Sequence, residues 1–366
     1  MKRATVGQLL LVGVPGPELD PATARVFRQF QPGGYILFGR NIRDPVQLRK
    51  LIDDLRDLSH EQPIIAIDQE GGRVSRLRLI GHEPPNAQQL REKGDLALVQ
   101  EHGRLTGELL RLFGFNLDLC PVLDLSFDDE ADNSLRGRCY GTTVEQVVQL
   151  AGAFEQALRT AGILSCGKHF PGYSAAGLDP HHDLPKIVRS RPELDGEELA
   201  VFRAFVPSVS SMMVGHAWYP AFDAAETPAS LSARVVTDLL RNEFGFGGLI
   251  MTDDLDMGAI LNQVGFDEAI KLAVQAGNDL AMICHRIQMV PQAVAVLDAM
   301  KPDALDRALA SVEAFRARLA APESFAVDRF AGLNEAIWQL RLAVLGEERA
   351  RERSPEDGKR SPVELY

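Results

Sequence analysis

The sequence predicts an α/β fold, a closed (β/α)₈ barrel of the TIM type. Three observations carry this: eight short apolar runs, helical periods between them, and ionisable residues at one end of the runs. The strand candidates are Leu9–Val14, Gly34–Phe38, Pro63–Asp68, Asn116–Leu125, Ser165–Phe170, Ser211–His216, Gly248–Asp253 and Leu280–Cys284. Several are rich in Ile, Val and Leu without strict alternation, which suits parallel strands covered on both faces. Asp44-Pro45 opens a helix, with an N-cap followed by proline at the first helical position. Leu48, Leu51, Ile52 and Leu55 then fall on one face. Val147–Ala161, Glu197–Val206, Val235–Phe244 and Asp267–Ala276 follow the same period. Strands and helices in this alternation close into a barrel. An open doubly wound sheet would need a glycine-rich nucleotide loop after the first strand, and Gly13-x-Pro15-Gly16 does not match one.

The chain has 366 residues, 45% hydrophobic and 25% charged, enough for a large core. A barrel of about 250 residues or more fits that length. We expect a single domain over residues 1–345. Residues 346–366, GEERARERSPEDGKRSPVELY, are charged and poor in apolar residues, the composition of a disordered tail. The formal charge, 39 − 51 = −12, argues against nucleic acid and anionic membrane surfaces as partners and leaves a small substrate open. The apolar run Leu9–Val14 is too short for a signal peptide or a membrane span. None of the four cysteines pair as C-x-x-C, which reads as buried free thiols in a reducing compartment. The expectation is a soluble, cytoplasmic protein. No segment specifies an oligomeric state.

Ionisable residues gather where the strands end. Asp68 ends the third, Asp124 lies near the end of the fourth, and Lys168 and His169 end the fifth. His216 ends the sixth and Asp253-Asp254 the seventh. In such barrels the catalytic face is built at those ends.

Four segments carry the chemistry. In MTDDLDMGA (251–259), Asp253 follows an apolar strand and can attack a sugar carbon, as nucleophilic carboxylates do in retaining glycosidases. Capping the next helix is the plainer alternative; two adjacent aspartates allow both, with Asp254 or Asp256 as loop anchor. In CGKHFPGYSAAGLDPHHDLP (166–185), Asp179 and His181 are two apart on a loop. There a carboxylate could orient an imidazole that donates and takes protons. A solvated loop is the rival reading, and a metal site on His181, His182 and Asp183 a weaker one. In IDQEGGRVSRL (67–77), Asp68 can accept from vicinal sugar hydroxyls, or form a loop salt bridge with Arg73 or Arg76. In LRGRCYG (135–141), Arg136 or Arg138 could enter a pocket, or simply be solvated.

Taken together, these segments resemble glycoside hydrolase family 3, in its β-N-acetylglucosaminidase branch. KHFPG (168–172) with Asp179, His181 and Pro185 is similar to the branch's signature loop, and TDDLDMGA to its nucleophile segment. DQEGGRVSR (68–76), GGYILFGRN (33–41) and Cys120-Pro121-Val122-Leu123-Asp124 resemble three further motifs. The match runs from about residue 8 to residue 285 in the family's order, and several motifs in order are more specific than any one. The resemblance implies Asp253 as nucleophile and Asp179 with His181 as acid/base dyad. It also implies Asp68, Arg76, Arg138, Lys168 and His169 as holders of a terminal N-acetylglucosamine, and a muropeptide-type saccharide as substrate. No metal or organic cofactor is expected. There are departures: Tyr173-Ser174 stand where the family has His-Gly, and Pro180 separates Asp179 from His181. Gly137 stands where an acidic residue usually precedes the arginine, so Arg138 lacks that orienting neighbour. A phosphorylase using the same dyad and a catalytically weak glycan-binding barrel are the rival functions.

Overall fold

The structure, a computed structural model, describes residues 6–130, 134–174 and 184–354. Eight parallel strands close a barrel. They are β1 Leu10–Gly13, β2 Gly34–Leu37, β3 Ile64–Ile67 and β4 Leu117–Asp118, then β5 Leu164–Phe170, β6 Ser211–Val214, β7 Leu249–Asp254 and β8 Leu280–Ile283. Each pairs with the next, and β8 returns to β1 through Leu10 opposite Ala281. The expected (β/α)₈ barrel is the observed fold. Its strands are almost wholly buried, as continuous apolar runs require when helices cover the outside.

One strand is shorter than its sequence suggests. The run Asn116–Leu125 pairs as a strand only over Leu117–Asp118, with an isolated bridge from Val122 to Lys168. Pro121 interrupts it, since proline has no N–H to give a ladder. The segment still follows β5, with Leu123 N–H donating to the Lys168 carbonyl at 2.7 Å. That irregular stretch carries Asp124 to the barrel mouth. A short hairpin, Gln69–Gly71 with Val74–Ser75, follows β3 directly and was not anticipated.

The helix Pro45–Leu58 starts as its sequence requires: Asp44 accepts from the Gln47 N–H at 2.9 Å, and Leu48, Leu51, Ile52 and Leu55 are buried. The period over 235–244 is realised as Arg234–Glu243, wound as a π-helix. The last helix, Val327–Ala350, packs Phe330 edge-on against Phe113 at 5.5 Å. The boundary expected at residue 345 falls inside it, where Gly346 turns through a left-handed φ of 76°. The chain stays packed beyond: Arg341 donates to Glu83 Oε1 at 3.1 Å and to the Ala350 carbonyl at 2.8 Å, and Ser354 Oγ donates to the same Glu83 oxygen at 2.7 Å. These buried contacts explain why composition misplaces the end of the packed chain; 355–366 lie outside the described residues. None of the described helices is long and apolar enough to cross a membrane. All four cysteines are free and buried.

Behind the barrel mouth, His102 is fully buried against Phe154, and neither ring nitrogen has a hydrogen-bond partner. Burial lowers its pKa from 6.5 to about 4. The folded state therefore binds fewer protons than the unfolded one between those values. Stability conferred by keeping this ring neutral is complete above pH 6.5 and is lost as pH falls through 4. The loss amounts to roughly 3 kcal/mol on this group. His102→Leu should flatten that part of the stability profile, read from thermal melts between pH 7 and pH 4. An unchanged acid slope would contradict the assignment.

Candidate active site

The C-terminal ends of the strands surround a cavity of about 760 Å³, including the part open to solvent. Asp68 reaches it from the end of β3, Lys168 and His169 from β5, and Asp253 from β7. Arg76 enters from the exit of the hairpin and Arg138 from the segment after β4. These were separate motifs in the sequence, and the barrel brings them to one face.

On one wall two carboxylates hold two cations. Lys168 Nζ donates to Asp68 Oδ1 at 2.6 Å and lies 2.7 Å from Glu70 Oε1. Arg138 takes Glu70 in a fork, Nε to Oε2 and Nη2 to Oε1, both 2.7 Å. All four side chains are at most 11% exposed. Burial alone would raise the Glu70 carboxyl, but Arg138 and Lys168 more than offset it and hold it well below the carboxylate range. Burial likewise opposes the charge on Lys168, and Asp68 and Glu70 reverse that and raise its pKa. Asp118 is buried beside this cluster, and burial pushes its carboxyl well above the ordinary carboxylate value. Arg76 has a looser tie, 3.6 Å from Asp68 Oδ2. Its Nε and Nη2 are buried without a hydrogen-bond partner. Such donors are costly unless a ligand's oxygen meets them.

Next to this cluster, His169 is held by Asp124. The ring Nδ1 is 2.7 Å from Asp124 Oδ2, and the His169 backbone N–H donates to the same oxygen at 3.1 Å. With Arg138 Nη2 3.5 Å from Nε2, the contacts favour the Nδ1–H tautomer. Asp124 Oδ1 accepts from the Tyr173 N–H at 2.6 Å. Tyr173 is itself part of the cavity wall. Its ring lies 5.1 Å from that of His169, and its hydroxyl accepts the His216 N–H. Gly215 makes room for it: a Cβ there would stand 2.6 Å from the Tyr173 ring and hydroxyl. Gly215→Ala should cost about 1–3 kcal/mol by overpacking and displace Tyr173. A thermal melt should show a lower Tm, and a crystal structure of the variant a shifted Tyr173 ring. No change in either would contradict the packing account.

At the end of β7 the adjacent aspartates separate. Asp254 is buried; its Oδ1 accepts from Asp256 N–H at 3.0 Å and Cys284 N–H at 3.1 Å. Burial first, then the Asp256 charge, push its carboxyl well above the ordinary value. Asp256 Oδ2 accepts from the backbone N–H of His285 and of Arg286. Both therefore tie the β7 loop to the β8 loop. Asp253 is half-buried and lines the cavity, with Oδ1 accepting the Asp254 N–H at 2.8 Å.

Other candidates go elsewhere. His216 is fully buried, bonded to Ser230 and to the Asp254 carbonyl, and does not line the cavity. Arg73 donates to the Ser134 carbonyl and Arg136 pairs at the surface with Glu130. Asp179 and His181, with His182 and Asp183, lie outside the described residues.

The sequence profile described as "Glycosyl hydrolase family 3 N terminal domain" matches residues 1–314. The chain belongs to glycosyl hydrolase family 3. A "Beta-hexosaminidase" of Tolumonas auensis is 34% identical over 303 residues, 82% of this chain and 88% of the relative. The structure of a family 3 β-N-acetylglucosaminidase from Paenibacillus sp. FPU-7 is similar, with TM-score 0.82 at 32% identity over 92% of this chain and 68% of that one. So is NagZ from Neisseria gonorrhoeae, solved in complex with N-trifluoroacetyl-D-glucosamine, with TM-score 0.79 at 28% identity over 91% and 97%. In this family 3 glycoside hydrolase, one expectation from the departures is corrected. Arg138 does have an orienting carboxylate, supplied across space by Glu70 in place of its sequence neighbour. Sequence reasoning missed Glu70. Its signal was a second acid two residues after Asp68, on the turn that becomes the hairpin.

Proposed function

We propose that the protein is a retaining β-N-acetylglucosaminidase that releases terminal N-acetylglucosamine from muropeptide-type β-1,4-linked saccharides. The observation that carries this is the half-buried Asp253 carboxylate in the same cavity as the Asp68–Lys168–Glu70–Arg138 cluster. In this reading Asp253 attacks the anomeric carbon and the glycosidic C–O bond breaks. His181, held by Asp179, protonates the departing oxygen. Water then attacks the glycosyl-enzyme, with His181 taking its proton. The positive charge developing on the sugar is stabilised by Asp253. Asp68 accepts from sugar hydroxyls, and the orphaned Arg76 donors meet the sugar's oxygens; His169 and Tyr173 close one side. The chemistry requires no metal or organic cofactor.

The relatives' names and the N-acetylglucosamine analogue bound to NagZ support the substrate class. A place in cell-wall recycling follows from that substrate. Four buried free thiols fit a reducing cytoplasm. The test is hydrolysis of an aryl β-N-acetylglucosaminide against the matching β-glucoside, with the first-formed anomer read by NMR. Cleavage of the former alone, giving the β-anomer first, is expected. Release of the α-anomer would overturn retention, and sugar 1-phosphate formed only with added phosphate would mark a phosphorylase.

A further inference from the structure

His216 follows β6 by two residues, but its ring is fully buried and does not line the cavity at the barrel mouth. Both ring nitrogens are engaged. Nε2 lies 2.9 Å from the backbone carbonyl of Asp254, and Nδ1 lies 2.8 Å from Ser230 Oγ. A carbonyl can only accept, so Nε2 carries the hydrogen, and Nδ1 of the neutral ring accepts from the Ser230 hydroxyl. Ser230 is fixed in turn. Its N–H donates to the Gly215 carbonyl at 3.0 Å, and the Ala229 N–H to the Ala217 carbonyl at 2.9 Å, one bond on each side of His216. Packing and these bonds lock the direction of the ring.

What the ring holds is the turn that leaves β7. The Asp254 carbonyl takes the His216 Nε2–H and, at 3.2 Å, the Met257 N–H. The Asp254 N–H donates to Asp253 Oδ1 at 2.8 Å. The Asp254 side chain is tied to the β8 loop through the Cys284 N–H. Asp254 is thus gripped from β6 and from β8, the two neighbours of β7, while its own N–H orients the Asp253 carboxylate. His216 also donates its backbone N–H to the hydroxyl of Tyr173, which is cavity wall. It therefore joins the wall after β5 to the end of β7. A carboxylate that must meet a sugar carbon in line is sensitive to such support, since a misplacement of about 1 Å costs on the order of 10²-fold in rate.

We propose that His216 is a positioning residue for Asp253: its Nε2–H sets the Asp254 carbonyl, and with it the N–H that orients the attacking carboxylate. The proposal rests on the reading of Asp253 as nucleophile and adds to it a residue that does not touch the substrate. Full-length His216→Gln and His216→Asn separate the two ring contacts. The glutamine amide reaches the place of Nε2 and keeps a donor for Asp254; the asparagine amide reaches only the place of Nδ1. The readouts are kcat on an aryl β-N-acetylglucosaminide, the inhibition constant of free N-acetylglucosamine, and a thermal melt. His216→Asn should lose about 10²-fold in kcat, with the inhibition constant within about threefold of wild type. His216→Gln should keep kcat within about tenfold of wild type at a Tm similar to that of His216→Asn. Ser230→Ala removes only the hydroxyl that aims the ring, and decides the matter if the core variants fail to fold. Its kcat should fall about fivefold, the scale of one hydrogen bond. Equal losses in the two His216 variants, a loss confined to the inhibition constant, or wild-type kcat in Ser230→Ala would overturn the role. Absence of wild-type turnover marks failure of the glycosidase reading, and turnover that survives Asp253→Ala marks failure of the nucleophile reading. Wild-type turnover that Asp253→Ala abolishes, without the expected split between His216→Gln and His216→Asn, marks failure of the His216 role alone.

Discussion

Asp253→Ala should lower kcat on an aryl β-N-acetylglucosaminide by about 10⁴-fold or more with the fold intact. The carboxylate lies at the end of β7, half-buried on the cavity wall. Its neighbours Asp254 and Asp256 tie the loop down through backbone N–H groups. On the proposed mechanism, removing Asp253 takes away the attacking group and leaves those loop anchors in place. Melting temperature should change little while turnover collapses. Azide, a small nucleophile able to enter from the vacated side, should restore part of the turnover and give the inverted glycosyl azide. A variant that keeps more than about a tenth of wild-type kcat would be incompatible with nucleophilic catalysis at this residue.

Glu70→Gln should have the second largest effect, and it should appear in both stability and activity. The substitution removes the charge shared by buried Lys168 and Arg138. Breaking a buried pair leaves an uncompensated charge and costs about 3–5 kcal/mol. Asp68 still holds Lys168, so the main loss falls on Arg138. Catalytic efficiency should fall roughly 10²-fold as the cation wall loosens, the scale expected when a positioning contact is lost. The pH dependence follows from the two shifts. The Glu70 pKa is depressed in the fold, so its contribution is complete above the ordinary value of 4.5 and is lost only as pH falls through the lower folded value. The Lys168 pKa is raised, so its contribution is complete below 10.5 and is lost as pH rises through the folded value. The stability gap between wild type and variant should therefore be flat from about pH 5.5 to 9.5. Melts across that range read it directly, and a gap that varied strongly near pH 7 would point to another group.

The fold was legible because its signals are local and repeated. Apolar runs without alternation, an Asp-Pro helix start and ionisable residues at strand ends each follow from one physical rule, and they agree. The cavity wall was legible in part for the same reason: Asp68, Lys168, His169 and Asp253 are strand-end residues, and a barrel must bring strand ends together. What escaped were contacts made across space. Glu70 pairs with Arg138 over 68 positions, and no local pattern announces it. Tyr173 looked like a change in a loop. It is wall material because Gly215, on a different strand's end, leaves a gap of its shape. Pro121 was visible in the sequence, yet its effect on the fourth strand depends on which ladder bonds the neighbours need. The packed stretch past residue 345 was hidden by its charge, because Arg341 and Glu83 are buried as a pair.

The attack of one carboxylate on the anomeric carbon is tested most directly by trapping. The enzyme would be incubated with a fluorinated N-acetylglucosaminyl donor that slows release of the glycosyl-enzyme, then digested and read by mass spectrometry. A sugar ester on the peptide containing Asp253 is the predicted result. A label on any other residue, or none while turnover of the donor proceeds, would contradict it.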